Sequence, residues 1–140
     1  MQAGSTGSNP KTLTGQCMCG AVSFTVPDDF DYAMNCHCGK CRRTTGSAFK
    51  PMGGIARAEL VVTRGAGDVF LYGDGTTHDA HCRRCGSLLF SQVRDAEYAH
   101  VPLGVLIDAP SIRPTHHIHV ASKAPWYEIT DDLPQYQEFD

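Results

Sequence analysis

Seven cysteines stand in three tight groups: Cys17 with Cys19, then Cys36, Cys38 and Cys41, then Cys82 with Cys85. An extended chain projects residues i and i+2 to one face, so a C-x-C pair offers two sulfurs to a single ion. The C-x-x-C of HCRRCG has knuckle spacing, in which a tight turn brings two thiolates to about 2.3 Å from zinc, and Gly86 supplies the permissive backbone such a turn needs. Together the outer pairs make one closed tetrahedral site, which predicts a structural clamp between the start of the domain and its middle. The odd cysteine count argues against disulfides. So does the opening MQAGSTGSNP, which has neither the basic start nor the apolar core of an export signal; the expectation is a cytoplasmic chain with reduced thiols and two zinc ions.

The central group combines both spacings within six residues, NCHCGKC, and can give three thiolates to a second ion from one loop. Three protein ligands leave the fourth corner for water or substrate, the arrangement of catalytic zinc. From spacing alone three alternatives stay open: a histidine closing this second site, a redox role for C-x-x-C, and a different grouping of the seven sulfurs.

With 140 residues, the chain has the length of one ordinary domain, able to bury a core without metal. Residues 1 to 11 read as a disordered lead-in and residues 12 to 140 as a single domain. No apolar run is long enough to span a bilayer, and a formal charge of -3 disfavours a nucleic-acid partner. Strand signals recur over 21–26, 59–63, 68–72, 87–91, 98–107 and 116–120, broken by glycine-rich turns, whereas a helical turn is expected only over 40–45. The fold class is therefore mainly β.

Lys40, Arg42, Arg43, Lys50 and Arg57 fall in a stretch, 32–58, that contains no Asp or Glu. This basic island suits an anionic ligand, with Arg42 and Arg43 the foremost candidates because they adjoin Cys41; the alternative is that the charges only offset the thiolates or sit solvated. Thr45 and Ser47 could offer donors to a substrate oxygen or simply cap a turn. His37, between two ligands, should point away from the metal. Trp126 and Tyr127 suggest a packed plug over the β core.

The segments GQCMCGAVSF, NCHCGKCRRTTGSAF, HCRRCGSLLF and PTHHIHVASKAPWYEITDDLP, in that order, resemble the glutathione-dependent formaldehyde-activating enzyme family, also called the GFA or CENP-V domain family. The likeness runs from about Gly15 to Pro134. It implies an Mss4-like fold of short antiparallel strands in several small sheets with two zinc sites. Cys17, Cys19, Cys82 and Cys85 match the family's structural ligands, and Cys36, Cys38 and Cys41 its catalytic ligands. His117 matches the His-Ile position and is the expected proton carrier. His81 and His119 replace residues that are often aromatic there. The implied activity is condensation of formaldehyde with glutathione to S-hydroxymethylglutathione. A zinc with three thiolates is a weak Lewis acid for water but suits capture of a thiol as thiolate, ready to add to an aldehyde or leave from its adduct, as in a carbon–sulfur lyase or synthase. The alternative is a non-catalytic, zinc-stabilised module that binds a thiol or a protein partner.

Overall fold

The computed structural model describes residues 10–139, so the expected disordered lead-in lies outside the described residues except for Pro10 and Lys11. In chain order the strands are β1 (Thr12–Gln16), β2 (Ser23–Pro27), β3 (Tyr32–Cys36), β4 (Lys50–Ala56), β5 (Val61–Arg64), β6 (Val69–Gly73), β7 (His78–Cys82), β8 (Leu88–Val93), β9 (Tyr98–Pro102) and β10 (His117–Ile118). One α-helix, α1 (Gly39–Thr45), lies between β3 and β4. The mainly β reading holds, with the strands gathered into a three-stranded sheet, β1-β2-β5, and a seven-stranded sheet, β10-β3-β4-β9-β8-β7-β6. Neighbours are antiparallel except β10, which runs parallel to β3.

The main core lies between the sheets. Leu13, Phe24 and Val26 project from the smaller sheet onto Leu89, Phe90, Ala99 and Val101 of the larger one. Phe24 meets Phe90 edge-on at 5.8 Å and also covers Gly15, its cross-strand partner, where an added Cβ would fall 2.2 Å from the ring. Glycine is required there by packing. A second buried cluster, Met34, Cys36, Cys41, Met52 and Ile118, forms where α1 and β10 close over the end of β3 and β4.

Two expected strands are shorter than their sequence signals. The run 98–107 leaves the sheet after Pro102 and turns through a 3-10 helix, Leu103–Val105. The run 116–120 keeps only His117–Ile118, because His119 adopts a left-handed backbone with φ 56° that no strand continues through. Among the described residues no helix is long and apolar enough to cross a membrane.

Candidate metal centres

Cys17 and Cys19 follow the end of β1, and Cys82 ends β7, so the outer cysteines join the two sheets. Each half-site is a backbone turn that aims its N–H groups at sulfur. Val22 N–H donates to Cys17 Sγ (3.2 Å) and Arg84 N–H to Cys82 Sγ (3.4 Å). Gly20 and Gly86 take φ of 81° and 83°, which closes each turn. Ser87 bridges the halves: its hydroxyl accepts from Met18 N–H (3.0 Å) and lies 3.2 Å from Cys85 Sγ. A zinc tetrahedron with Zn–S bonds of about 2.3 Å requires sulfur–sulfur edges of about 3.8 Å. Cys17 and Cys19 are 3.7 Å apart, and Cys19 and Cys82 3.8 Å.

The protonation of these sulfurs points the same way. Hydrogen bonds from Ser87 draw Cys85 down to about 5. Cys19 is pushed up to about 11: Ala21 N–H favours its thiolate, but burial and the neighbouring sulfurs oppose it more strongly. The cluster divides protons unevenly because four thiolates this close repel one another unless a cation sits among them.

The central trio is assembled by the start of α1. Cys36 closes β3, Cys38 is the N-cap, and Cys41 lies on the first turn, its N–H donating to Cys38 Sγ at 3.3 Å. Gly46 ends the helix with φ 63°, and its N–H returns to Arg42 C=O. The three sulfurs lie within 4.8 Å of one another, and among the described residues no histidine or carboxylate joins them within that distance. Cys36 is held below its usual value by a hydrogen bond from Cys41, while that bond and burial push Cys41 up, with Lys50 opposing. Both cysteine sets fit a soft, thiophilic cation such as zinc, the trio with three ligands.

Cys38 and Cys41 open onto a cleft of about 530 Å³ bordered by Lys40, Arg43, Lys50 and, opposite, by Asp79, Ser91 and His100. The basic island thus divides. Arg43 folds back over Gly39, where an added Cβ would meet its Nη1 at 2.9 Å. Arg42 does not border this cleft, and its Nε is buried without a partner. Arg57 is committed to structure, lying over the Phe90 ring and donating to Leu60 C=O and Gln92. Thr45 donates to Cys41 C=O (2.7 Å) and Ser47 to Phe49 C=O (2.7 Å). These two border a separate cleft of about 570 Å³ beside Cys85 and Ser87.

His37 points away from the trio as alternation predicts, its ring packed against Phe49, His117 and Tyr127. It is fully buried, and its Nε2 lies 2.8 Å from His117 Nδ1, whose Nε2 lies 3.1 Å from the Asp131 carboxylate. A carboxylate only accepts, so His117 donates from Nε2 to Asp131. Burial, then the facing His117, Lys123 and Arg42, push His37 down to about 4. Sequence reasoning found His117 but gave no role to Asp131, although it lies in the segment PTHHIHVASKAPWYEITDDLP, and saw Lys50 only as one cation of the island. Tyr127 joins the packed cluster as expected; Trp126 does not, being 70% exposed. His81 stacks on Phe70 at 5.2 Å and His119 meets Phe139 at 4.8 Å.

The family model for glutathione-dependent formaldehyde-activating enzyme matches residues 12–122. A Halomonas elongata protein named "Putative glutathione-dependent formaldehyde-activating enzyme" is 34% identical over 84% of this chain and 80% of its own length. A crystal structure of a Rhodobacter sphaeroides protein superposes with a TM-score of 0.56 at 30% identity, covering 72% of this chain and 91% of that one.

Proposed function

The chain belongs to the glutathione-dependent formaldehyde-activating enzyme family, and from that premise we propose that it is a zinc-dependent carbon–sulfur lyase or synthase. It joins a thiol of the glutathione class to an aldehyde such as formaldehyde, or releases the two from their adduct. In this reading Cys17, Cys19, Cys82 and Cys85 hold a structural zinc, and Cys36, Cys38 and Cys41 hold a catalytic one. The observation that carries it is the trio of sulfurs, with no fourth ligand group among the described residues, at the wall of a cleft bordered by three cations.

Zinc bound by three thiolates supplies stabilisation of a substrate sulfur as thiolate, the nucleophilic form. The protein residues do the rest. Lys40 and Arg43 attract the carboxylates of an anionic thiol into the cleft. Arg42, Thr45 and Ser47 act on the opposite side of α1, where Thr45 and Ser47 hold the helix end and so fix Cys41. His117 carries protons between buried His37 and the half-exposed Asp131, and the same bonds clamp the loop that bears Cys36 and Cys38. The reducing cytoplasm is the setting in which seven free thiols persist.

Cobalt substitution tests this reading against a non-catalytic binding module. With both sites loaded, glutathione should change the visible spectrum, and formaldehyde with glutathione should form adduct faster than in a protein-free control. An unchanged spectrum together with no rate enhancement counts against the enzyme.

A further inference from the structure

Lys50 is an unusual lysine. It opens β4 directly opposite Cys36, and Met52 sits opposite Met34 two positions on, so Lys50 projects from the same face of the sheet as the metal-binding sulfur. Only 6% of it is exposed, yet among the described residues its ammonium forms no ion pair and no hydrogen bond. Its stem is packed away while its ammonium, without a protein partner, keeps access to water at a cleft, so the charge is free to meet an incoming anion. Three thiolates and one divalent cation leave a net charge near −1 beside it, which accounts for the charge but uses none of its three donors.

Lys50 borders the cleft onto which Cys38 and Cys41 open, as well as the one beside Thr45 and Ser47. Other polar groups near the trio are already committed: Thr45 donates to Cys41 C=O, Ser47 to Phe49 C=O, and His100 Nε2 shares a hydrogen bond with the Tyr32 hydroxyl at 2.7 Å. Lys40 and Arg43 border the cleft but are exposed, where water screens them. Of the three cations that border this cleft, Lys50 alone is mostly buried with its donors free, and it has no existing bond to break when new charge develops, the condition under which electrostatic stabilisation is strongest.

We infer that Lys50 is a catalytic residue that donates a hydrogen bond to the oxygen that becomes anionic when the substrate sulfur adds to an aldehyde. The inference rests on the thiol–aldehyde reading above. The thiol first gives its proton to water. A sulfur lone pair then forms the C–S bond, the carbonyl π pair moves onto oxygen, Lys50 holds that alkoxide, and a water of the cleft protonates it. The sum is RSH + R′CHO giving RS–CH(OH)R′. In reverse, Lys50 favours the alkoxide from which the thiolate departs.

Zinc-loaded wild type, Lys50→Met and Lys50→Arg are compared for adduct formation from glutathione and formaldehyde, with zinc content measured on each. Removal of one such donor lowers kcat about 100-fold or more; the expected result for Lys50→Met is that loss with the thiol KM within about threefold and zinc content unchanged, while Lys50→Arg keeps about a tenth of activity or better. In parallel, the cobalt-substituted proteins are titrated with mercaptoacetate, which carries an anionic oxygen close to its sulfur, and with ethanethiol, which does not. Wild type should prefer mercaptoacetate, and Lys50→Met should lose that preference. Retention of kcat in Lys50→Met, or a change confined to zinc content or thiol KM, overturns the assignment. If wild type forms no adduct, the thiol–aldehyde reading fails, and an unchanged mercaptoacetate preference in Lys50→Met then removes the anion-binding role as well.

Discussion

Replacing Cys82 with Ser should cost far more stability than replacing Cys38 with Ser, although each removes one sulfur from a metal site. Cys19 and Cys82 are separated by 63 positions, so the outer site closes a long loop and ties β1 of one sheet to β7 of the other. Treated as a cross-link, a loop of that length is worth about 4 kcal/mol of unfolded-state entropy. Unfolding entropy near 2.1 cal/mol/K per residue gives about 0.3 kcal/mol/K for 140 residues, so losing the link lowers Tm by about 14 °C. The central trio spans only residues 36 to 41, a loop too short to constrain the unfolded chain, and serine at position 38 can still cap α1 by accepting Cys41 N–H. Its Tm should fall by no more than about 3 °C, the effect of losing about 1 kcal/mol.

Calorimetric melting of wild type and both variants, paired with elemental analysis for zinc, reads this directly. Each variant should lose one zinc equivalent; Cys82→Ser should melt early or fail to fold, and Cys38→Ser should melt almost normally without turnover. Equal shifts in the two variants, or a Cys82→Ser protein that lacks one zinc yet melts within about 3 °C of wild type, would refute the division of labour.

Burial, with help from Lys50 and Arg94, pushes His100 down to about 4, against about 6.5 in an unfolded chain. Between those values the unfolded state holds more protons, so this residue's effect is to make stability fall as pH drops from about 6.5 to about 4, by at most about 1.4 kcal/mol per pH unit; urea unfolding of His100→Asn should show a shallower slope, and an identical slope would count against the reasoning. Asp131→Asn should lower turnover about 10- to 100-fold with zinc content unchanged, since it alters the group that fixes the His117 tautomer; full activity would remove the relay from the mechanism. Arg43→Ala should raise KM for glutathione about fivefold while leaving KM for neutral 2-mercaptoethanol alone, an effect that added salt should erase in wild type.

Local chemistry decided which parts of the fold could be read from sequence. β2 is legible because Ser23–Pro27 keeps apolar Phe24 and Val26 beside polar Thr25 on a half-buried sheet. β3, YAMNC, is buried on both faces after Tyr32, so no alternation betrays it. β4, KPMGGIA, hides behind one proline and two glycines; Gly53 and Gly54 are there because Phe30 and Tyr32 lie where their Cβ atoms would be. β7, HDAHC, is polar because it serves hydrogen bonds and a sulfur ligand as well as packing. Each was invisible for the reason that it matters: these strands carry the ligands and wall the cleft.

The same logic separates the legible from the illegible parts of the site. Metal ligands from one segment must obey short spacings, so both half-sites and the trio appear in the sequence as C-x-C and C-x-x-C. Lys50 and Asp131 act through contacts made by the fold, Lys50 through the β3–β4 register and Asp131 through a C-terminal segment folded back onto β10. No spacing rule connects them to the cysteines. A chain built this way keeps its stability in the long-range sulfur clamp and its reactivity in a local loop, so a substitution along the cleft wall can change which thiol or aldehyde is accepted without loosening the joint between the sheets.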